Sequence, residues 1–320
     1  MLDILAITGP IYFCIAIGFV ATRYGLFAKA DMRVLGKFVI NLALPAMLFN
    51  ALSQKPVREV IHGDYLLAYG LGSMTVLLGA YAWARYVKRS VPSYRAYFAM
   101  GMSCSNSGYV GYPVALLTLG PVAGVALALC MLVENLLKIP LLLTLADADG
   151  SASEGGQGHW MRVLGQTLWR LLQNPMIIAI VLGFAYSLSG WHLPGAVSRT
   201  INLYAQATSA VALSVIGGTL VGLQIKGLGR QVAQISFGKL ILHPLAVLVM
   251  VSWVMPVADP ELRTAAVLFA AMPMLGIYPL LAQRQGHEEF TAAALLATTV
   301  GSFFTLSALL WALKHTTLLS

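Results

Sequence analysis

Apolar residues run along this chain in about ten stretches, at 4–22, 33–52, 65–87, 95–118, 121–145, 170–189, 203–223, 231–255, 262–284 and 290–313. Each is close to the roughly 20 residues that a helix needs to cross a bilayer. Polar residues collect between the stretches in short loops. The one long polar interruption, ADADGSASEGGQGHW at 146–160, is acidic and rich in Gly and Ser, the composition of a flexible linker. The pattern predicts an all-α integral membrane protein of ten transmembrane helices: a five-helix half at 1–145, a linker at 146–169 and a second five-helix half at 170–320.

Composition agrees. Of the 320 residues, 58% are hydrophobic and 10% are charged, against about 25% charged in soluble domains. The net charge of +8 does not indicate nucleic acid, because Lys and Arg form short clusters between apolar runs rather than a stripe. They act as topology signals. Loops after odd-numbered helices hold 12 of these cations, among them Arg85, Lys88, Arg89 and Arg230, against 5 in the remaining loops and termini. The positive-inside rule then places the odd loops and the linker in the cytoplasm and both termini outside. Short loops and a compact chain suit a bacterial inner membrane. The first run follows Met1-Leu2-Asp3 and precedes Arg23, the wrong charge order for a cleaved signal, so it reads as a retained span. Cys14, Cys104 and Cys130 lie within apolar runs without metal-ligand spacing. No cofactor, metal or hydrolase motif occurs and the histidines are dispersed, so the chain does not read as an enzyme.

The halves share a pattern. At an offset of 165 residues Pro10 falls on Pro175, Gly18 on Gly183, Phe19 on Phe184 and Gly25 on Gly190; at 166, Tyr112-Pro113 falls on Tyr278-Pro279. Two tandem five-helix repeats must enter the membrane from opposite sides, so the repeat is inverted, an arrangement characteristic of secondary transporters. Gly218 and Gly222 form a GxxxG in the seventh helix, which suits close packing within the protomer or in a dimer.

Candidate chemistry concentrates in the fourth and ninth helices. In GMSCSNSGYVGYP, Ser105, Asn106 and Ser107 precede Gly108, Gly111 and Pro113; in AAMPMLGIYPLL, Pro273, Gly276 and Pro279 occupy the corresponding place. Broken helices at matching positions in two halves point to a midplane site, and their half-helix N-termini suit an anion. Ser105, Asn106, Tyr109 and Tyr278 are the expected polar contacts, with Ser107 beside them. In the fifth helix Glu134 and Lys138 are i, i+4 and share a face. They read either as a structural ion pair or as coupling groups, with Asn135 able to join. In the eighth helix Lys239 and His243 repeat that spacing; two cations there are unfavourable unless His243 is neutral or an anion lies nearby. Asn41 and Asn50 read as ties between helices.

The segments NLALPAMLF at 41–49, SNSGYVGYP at 105–113 and MPMLGIYPLLAQRQG at 272–286 resemble the auxin efflux carrier family, which includes plant auxin transporters and bacterial malonate or malate carriers. The resemblance covers nearly the whole chain. It implies two helices broken and crossing, with Pro113 and Pro279 as the crossover prolines and Asn106 as the substrate-contacting asparagine. It also implies elevator-like alternating access, with helices 1, 2, 6 and 7 as scaffold and dimer interface and helices 3–5 and 8–10 as the moving unit. The expected cargo is a small organic anion, a carboxylate such as malonate, malate or an auxin-like acid, with coupling to protons, to sodium or to nothing left open. The alternative is a sodium-coupled organic-anion symporter of the bile-acid-transporter type. The long central loop of many plant members is absent.

Overall fold

In hydrocarbon every backbone polar group must be satisfied within the protein, and helices do this within one segment. The computed structural model describes residues 2–54, 61–147, 169, 173–191, 193–222, 229–283 and 285–315, and among these it is helical with no strand. The linker at 148–168 lies outside the described residues, as do the loop cations Lys55, Arg58, Arg162, Arg170, Lys226 and Arg284.

The helices are α1 (Leu2–Arg23), α2 (Lys29–Ser53), α3 (Gly63–Tyr86), α4 (Pro92–Ser103), α5 (107–119), α6 (Val122–Ala146), α7 (Pro175–Ser189), α8 (Gly195–Thr219), α9 (Gly229–Val254), α10 (Pro260–Ala271), α11 (Tyr278–Gln283) and α12 (Glu288–His315). Among the described residues five of them, α2, α3, α6, α9 and α12, are long and apolar enough to cross a membrane, and α7 and 9–23 of α1 are shorter apolar helices. The chain is a multi-pass membrane protein. The predicted fourth helix is two pieces, α4 and α5, and the predicted ninth is α10 and α11. The seventh predicted run began at 203, but α8 begins at Gly195, directly after Pro194. Its polar first turns turn inward on themselves: Thr200 Oγ1 and Asn202 Nδ2 donate to the carbonyls of Ala196 and Ser198.

Mid-helix prolines are accommodated by one recurring device. Wide π-type turns at Val39–Ala43, Ser107–Gly111, Val133–Lys138 and Gly238–Leu242 are followed two residues later by Pro45, Pro113, Pro140 and Pro244. Proline lacks an N–H and its ring clashes with the carbonyl four residues back. The wider turn moves that carbonyl away, and the residue before each proline bonds five residues back instead: Leu44 to Val39, Tyr112 to Ser107, Ile139 to Glu134 and His243 to Gly238. The helices therefore continue through their prolines. Such turns also displace side chains from regular helical register, and three of them carry Ser107, Glu134, Lys138 and Lys239.

Glycine sets the closest helix contacts. α1 packs on α8, where a side chain at Gly18 would meet the Ser214 backbone and one at Gly217 would meet the Ile15 carbonyl. α7 packs on α2, with Gly183 against Phe49 and Leu52. The expected GxxxG does not act as a unit. Gly218 packs inside the protomer against Met32 and Thr22, whereas Gly222, with a φ of +80° beyond the end of α8, meets nothing among the described residues. Asn41 and Asn50 also differ from expectation, because both bond locally rather than to another helix: Asn41 Nδ2 donates to the Lys37 carbonyl, and Asn50 Oδ1 accepts from Gln54 Nε2 just past the end of α2. Gly217→Leu is expected to lower stability by about 1–3 kcal/mol, the usual penalty of overpacking. A thermal-unfolding curve in detergent unchanged from wild type would show that the α1–α8 contact is looser than described.

Candidate transport site

Two unwound segments meet between α4 and α5 and between α10 and α11. Cys104 leaves α4 in extended conformation (φ −94°, ψ 126°), and Met272 leaves α10 likewise (φ −62°, ψ 153°). Freed from helices, their peptide groups pair with each other. The Asn106 N–H donates to the Pro273 carbonyl at 2.9 Å, the Leu275 N–H donates to the Cys104 carbonyl at 3.3 Å, and Ser105 lies opposite Met274 in an antiparallel bridge. Pro273 suits its place because it is needed only as an acceptor. Asn106 then starts α5: its carbonyl accepts from Val110 and Gly111, and its Oδ1 accepts from the Tyr109 N–H at 3.3 Å.

The chain breaks earlier than the sequence suggested. Gly108 and Gly111 lie inside the first, wide turn of α5, and Pro113 follows in regular helix. The two glycines permit close packing rather than unwinding. A side chain at Gly111 would strike the Phe269 ring at 2.8 Å, and one at Gly108 would crowd Leu44 and Met131. On the other strand of the crossing Pro273 and Gly276 do lie in the unwound segment, with Asn106 Nδ2 only 3.3 Å from where a Gly276 side chain would begin. Pro279 sits in the first turn of α11.

A buried charged cluster surrounds this crossing. Glu134, on the wide turn of α6, is 3% exposed. Its Oε1 accepts from the Ser105 N–H and the Tyr69 hydroxyl, both at 3.2 Å, and its Oε2 accepts from Ser107 Oγ at 3.0 Å. One carboxylate thus holds both ends of the Asn106 turn. Lys239, on the wide turn of α9, is fully buried. Its Nζ donates to Ser105 Oγ at 3.0 Å, to the Ala270 carbonyl at 2.6 Å and to His243 Nδ1 at 3.0 Å. A protonated Lys239 can only donate, so in that form Nδ1 would accept and Nε2 would carry the ring proton toward Ser73 Oγ, 2.9 Å away. This contact needs only one of the two groups to be charged, which removes the conflict that their spacing implied.

Lys138 is the exception in this well-satisfied cluster. It is fully buried, with its Nζ 3.6 Å from Glu134 Oε1 and 5.3 Å from the Tyr69 ring centre. It makes no hydrogen bond. Two buried lysines and one buried carboxylate therefore gather around the crossing.

The remaining predicted residues lie outside this cluster. The Tyr109 hydroxyl reaches across to α2 and donates to the Gly36 carbonyl at 3.0 Å. Tyr278 is buried, and its hydroxyl donates to the Tyr97 carbonyl on α4 at 2.6 Å. Asn135 is half-buried and bonds back to the Met131 carbonyl. Among the described residues no group of three or more His, Cys, Asp or Glu is placed to hold a metal ion. Lys239 joins the candidate site directly, although its sequence position suggested only a partner for His243. Its signal was a lysine inside an apolar stretch, which is costly unless paired. Tyr69 and Ser73 had no comparable signal.

Comparison with known proteins places the chain among membrane transporters. The profile of the family described as membrane transport protein matches residues 6–312. The chain belongs to this membrane transport protein family, the auxin efflux carrier family that its motifs resemble. A Rhizobium meliloti (strain 1021) protein whose name proposes malonate transport is 28% identical over 315 residues, covering 98% of this chain and 97% of that protein. The Escherichia coli (strain K12) transporter YfdV, itself uncharacterized, is 28% identical over 313 residues and 94% of each chain. An uncharacterized transporter of Methanothermobacter thermautotrophicus is 26% identical over 238 residues, 72% of each chain. As a member of this family the chain is a membrane transporter.

Proposed function

We propose that the protein is a secondary carrier for small organic anions, with the cargo's carboxylate held at the crossing. The observation that carries this reading is the charge balance: Lys138 and Lys239 are buried against the single carboxylate of Glu134. An isolated buried charge is costly, and an entering carboxylate would supply the counter-charge and the acceptor that Lys138 lacks. Ser105, Asn106 and Ser107 would position it at the start of α5, where free N–H groups favour an anion. Tyr109 and Tyr278 would contribute once the helices that hold their hydroxyls move. The malonate named for the Rhizobium relative fits this chemistry, as do malate and auxin-like acids.

Movement would be elevator-like. In this reading α1, α2, α7 and α8 form a scaffold and homodimer interface, and the other helices travel with the crossing. The packing supports an inverted repeat of two five-helix halves: α1 lies on α8 through Gly18, and α7 lies on α2 through Gly183, the residue that matches Gly18 at the offset of 165. Both termini would face outside, as the loop charges predict. The two buried lysines disfavour a sodium ion at the same place, and so disfavour the sodium-coupled alternative. His243 and Glu134 remain the candidates for proton coupling. Uptake of labelled malonate, malate and indole-3-acetate into proteoliposomes tests the reading. At least one should be transported, and Asn106→Ala should reduce that transport by about 100-fold or more, the scale of losing a positioning contact. Undiminished transport by Asn106→Ala would remove the asparagine from the site.

A further inference from the structure

A second basic site lies away from the crossing, where the end of α3 meets the start of α9. A cavity of about 300 Å³ is lined there by Trp83, Val87, Lys88, Arg230, Gln231 and Gln234. Lys88 is held in place: its Nζ donates to the Tyr94 hydroxyl at 3.1 Å and lies 4.3 Å from the Phe98 ring centre. Burial first, and the facing Arg230 second, keep the Lys88 ammonium below the usual lysine range. Neither cation has an acidic partner among the described residues. Two like charges are thus gathered at a concave surface with nothing opposite.

The floor of the cavity carries further unmet demand. Gln231 Nε2 and Gln234 Oε1 are both buried and without a hydrogen-bond partner among the described residues. One is a donor and the other an acceptor, so a ligand that satisfies both needs an acceptor oxygen, such as a phosphate oxygen, and a donor, such as a headgroup hydroxyl. Trp83 and Val87, 49% and 58% exposed, form an apolar wall one turn from the helix end, the level at which tryptophan sits at a membrane interface. We propose that this cavity binds a phosphate group, that of an anionic phospholipid headgroup, between Lys88, Arg230 and the two glutamines.

Native mass spectrometry of the purified full chain in neutral detergent tests this, with phosphatidylglycerol, phosphatidylcholine and inorganic phosphate as probes. Phosphatidylglycerol should bind in preference to phosphatidylcholine. Arg230→Gln and Lys88→Gln should each weaken it about fivefold, the effect of one cation near an anionic lipid. Arg85→Gln, an exposed cation on α3 outside the cavity, should change nothing. Displacement of the lipid by millimolar inorganic phosphate would keep the site and identify the free ion as able to fill it. Persistence of the lipid would assign the site to the headgroup. Equal binding of both lipids with no binding of phosphate would overturn the proposal, as would an Arg85→Gln effect matching that of Arg230→Gln.

Discussion

Glu134→Ala is expected to unfold at markedly lower temperature than wild type and to transport nothing measurable. The carboxylate accepts from the Ser105 N–H, Ser107 Oγ and the Tyr69 hydroxyl, and it faces the Lys138 ammonium. Removing it leaves three buried donors without an acceptor and a buried cation without a counter-charge. Breaking a buried pair in this way costs about 3–5 kcal/mol, a large share of the roughly 5–15 kcal/mol that holds a domain together. Glu134→Gln separates the two contributions. It keeps an acceptor of the same shape and removes the charge, so it should fold better than the alanine variant while still failing in transport. Wild-type unfolding and transport in Glu134→Ala would mean that the crossing is held by its backbone pairing alone.

Lys239→Met is expected to have the second largest effect, and on function more than on the fold. Its Nζ joins the unwound Ser105, the last turn of α10 and His243. The substitution removes these bonds and one of the two buried lysines of the cluster. Truncating one partner of a buried charged hydrogen-bond set costs about 2–5 kcal/mol, so the KM for an anionic cargo should rise about 30-fold or more. Lys138→Met makes an instructive contrast. Lys138 donates no hydrogen bond among the described residues but pairs with Glu134 at 3.6 Å; because Glu134 keeps its three hydrogen bonds, the substitution should cost less stability than Glu134→Ala while still weakening the anion. Equal KM values for wild type and both variants would show that these cations do not face the cargo.

That the chain is helical and crosses the membrane several times was legible because long apolar runs of bilayer length suit little else. The paired breaks were legible too, through Pro273, Gly276 and the polar stretch around Asn106. Their exact location was not. Gly108, Gly111 and Pro113 marked the region, but the chain unwinds at Cys104–Asn106, because the wide turn at Ser107–Gly111 absorbs Pro113 without a break. Nothing in the local sequence distinguishes a proline that ends a helix from one that a wide turn carries through; the tertiary partners decide. The start of α8 was missed for a simpler reason. Counting apolar residues overlooked Pro194, a start signal ahead of a polar but helical stretch. Glu134 and Lys138 could be placed on one face from their spacing, yet their roles differ for reasons that only packing supplies. Glu134 meets Ser105 and Ser107, whereas Lys138 meets no acceptor but Glu134.

The most direct measurement of the central claim is equilibrium binding of labelled malonate, malate and indole-3-acetate to the purified protein, with unlabelled malonamide as a neutral competitor. The account predicts saturable binding of at least one carboxylate, no competition by the amide, and loss of binding in both Asn106→Ala and Lys138→Met while both variants remain folded. Competition by malonamide as strong as by malonate itself, or carboxylate binding that survives both substitutions, would contradict it.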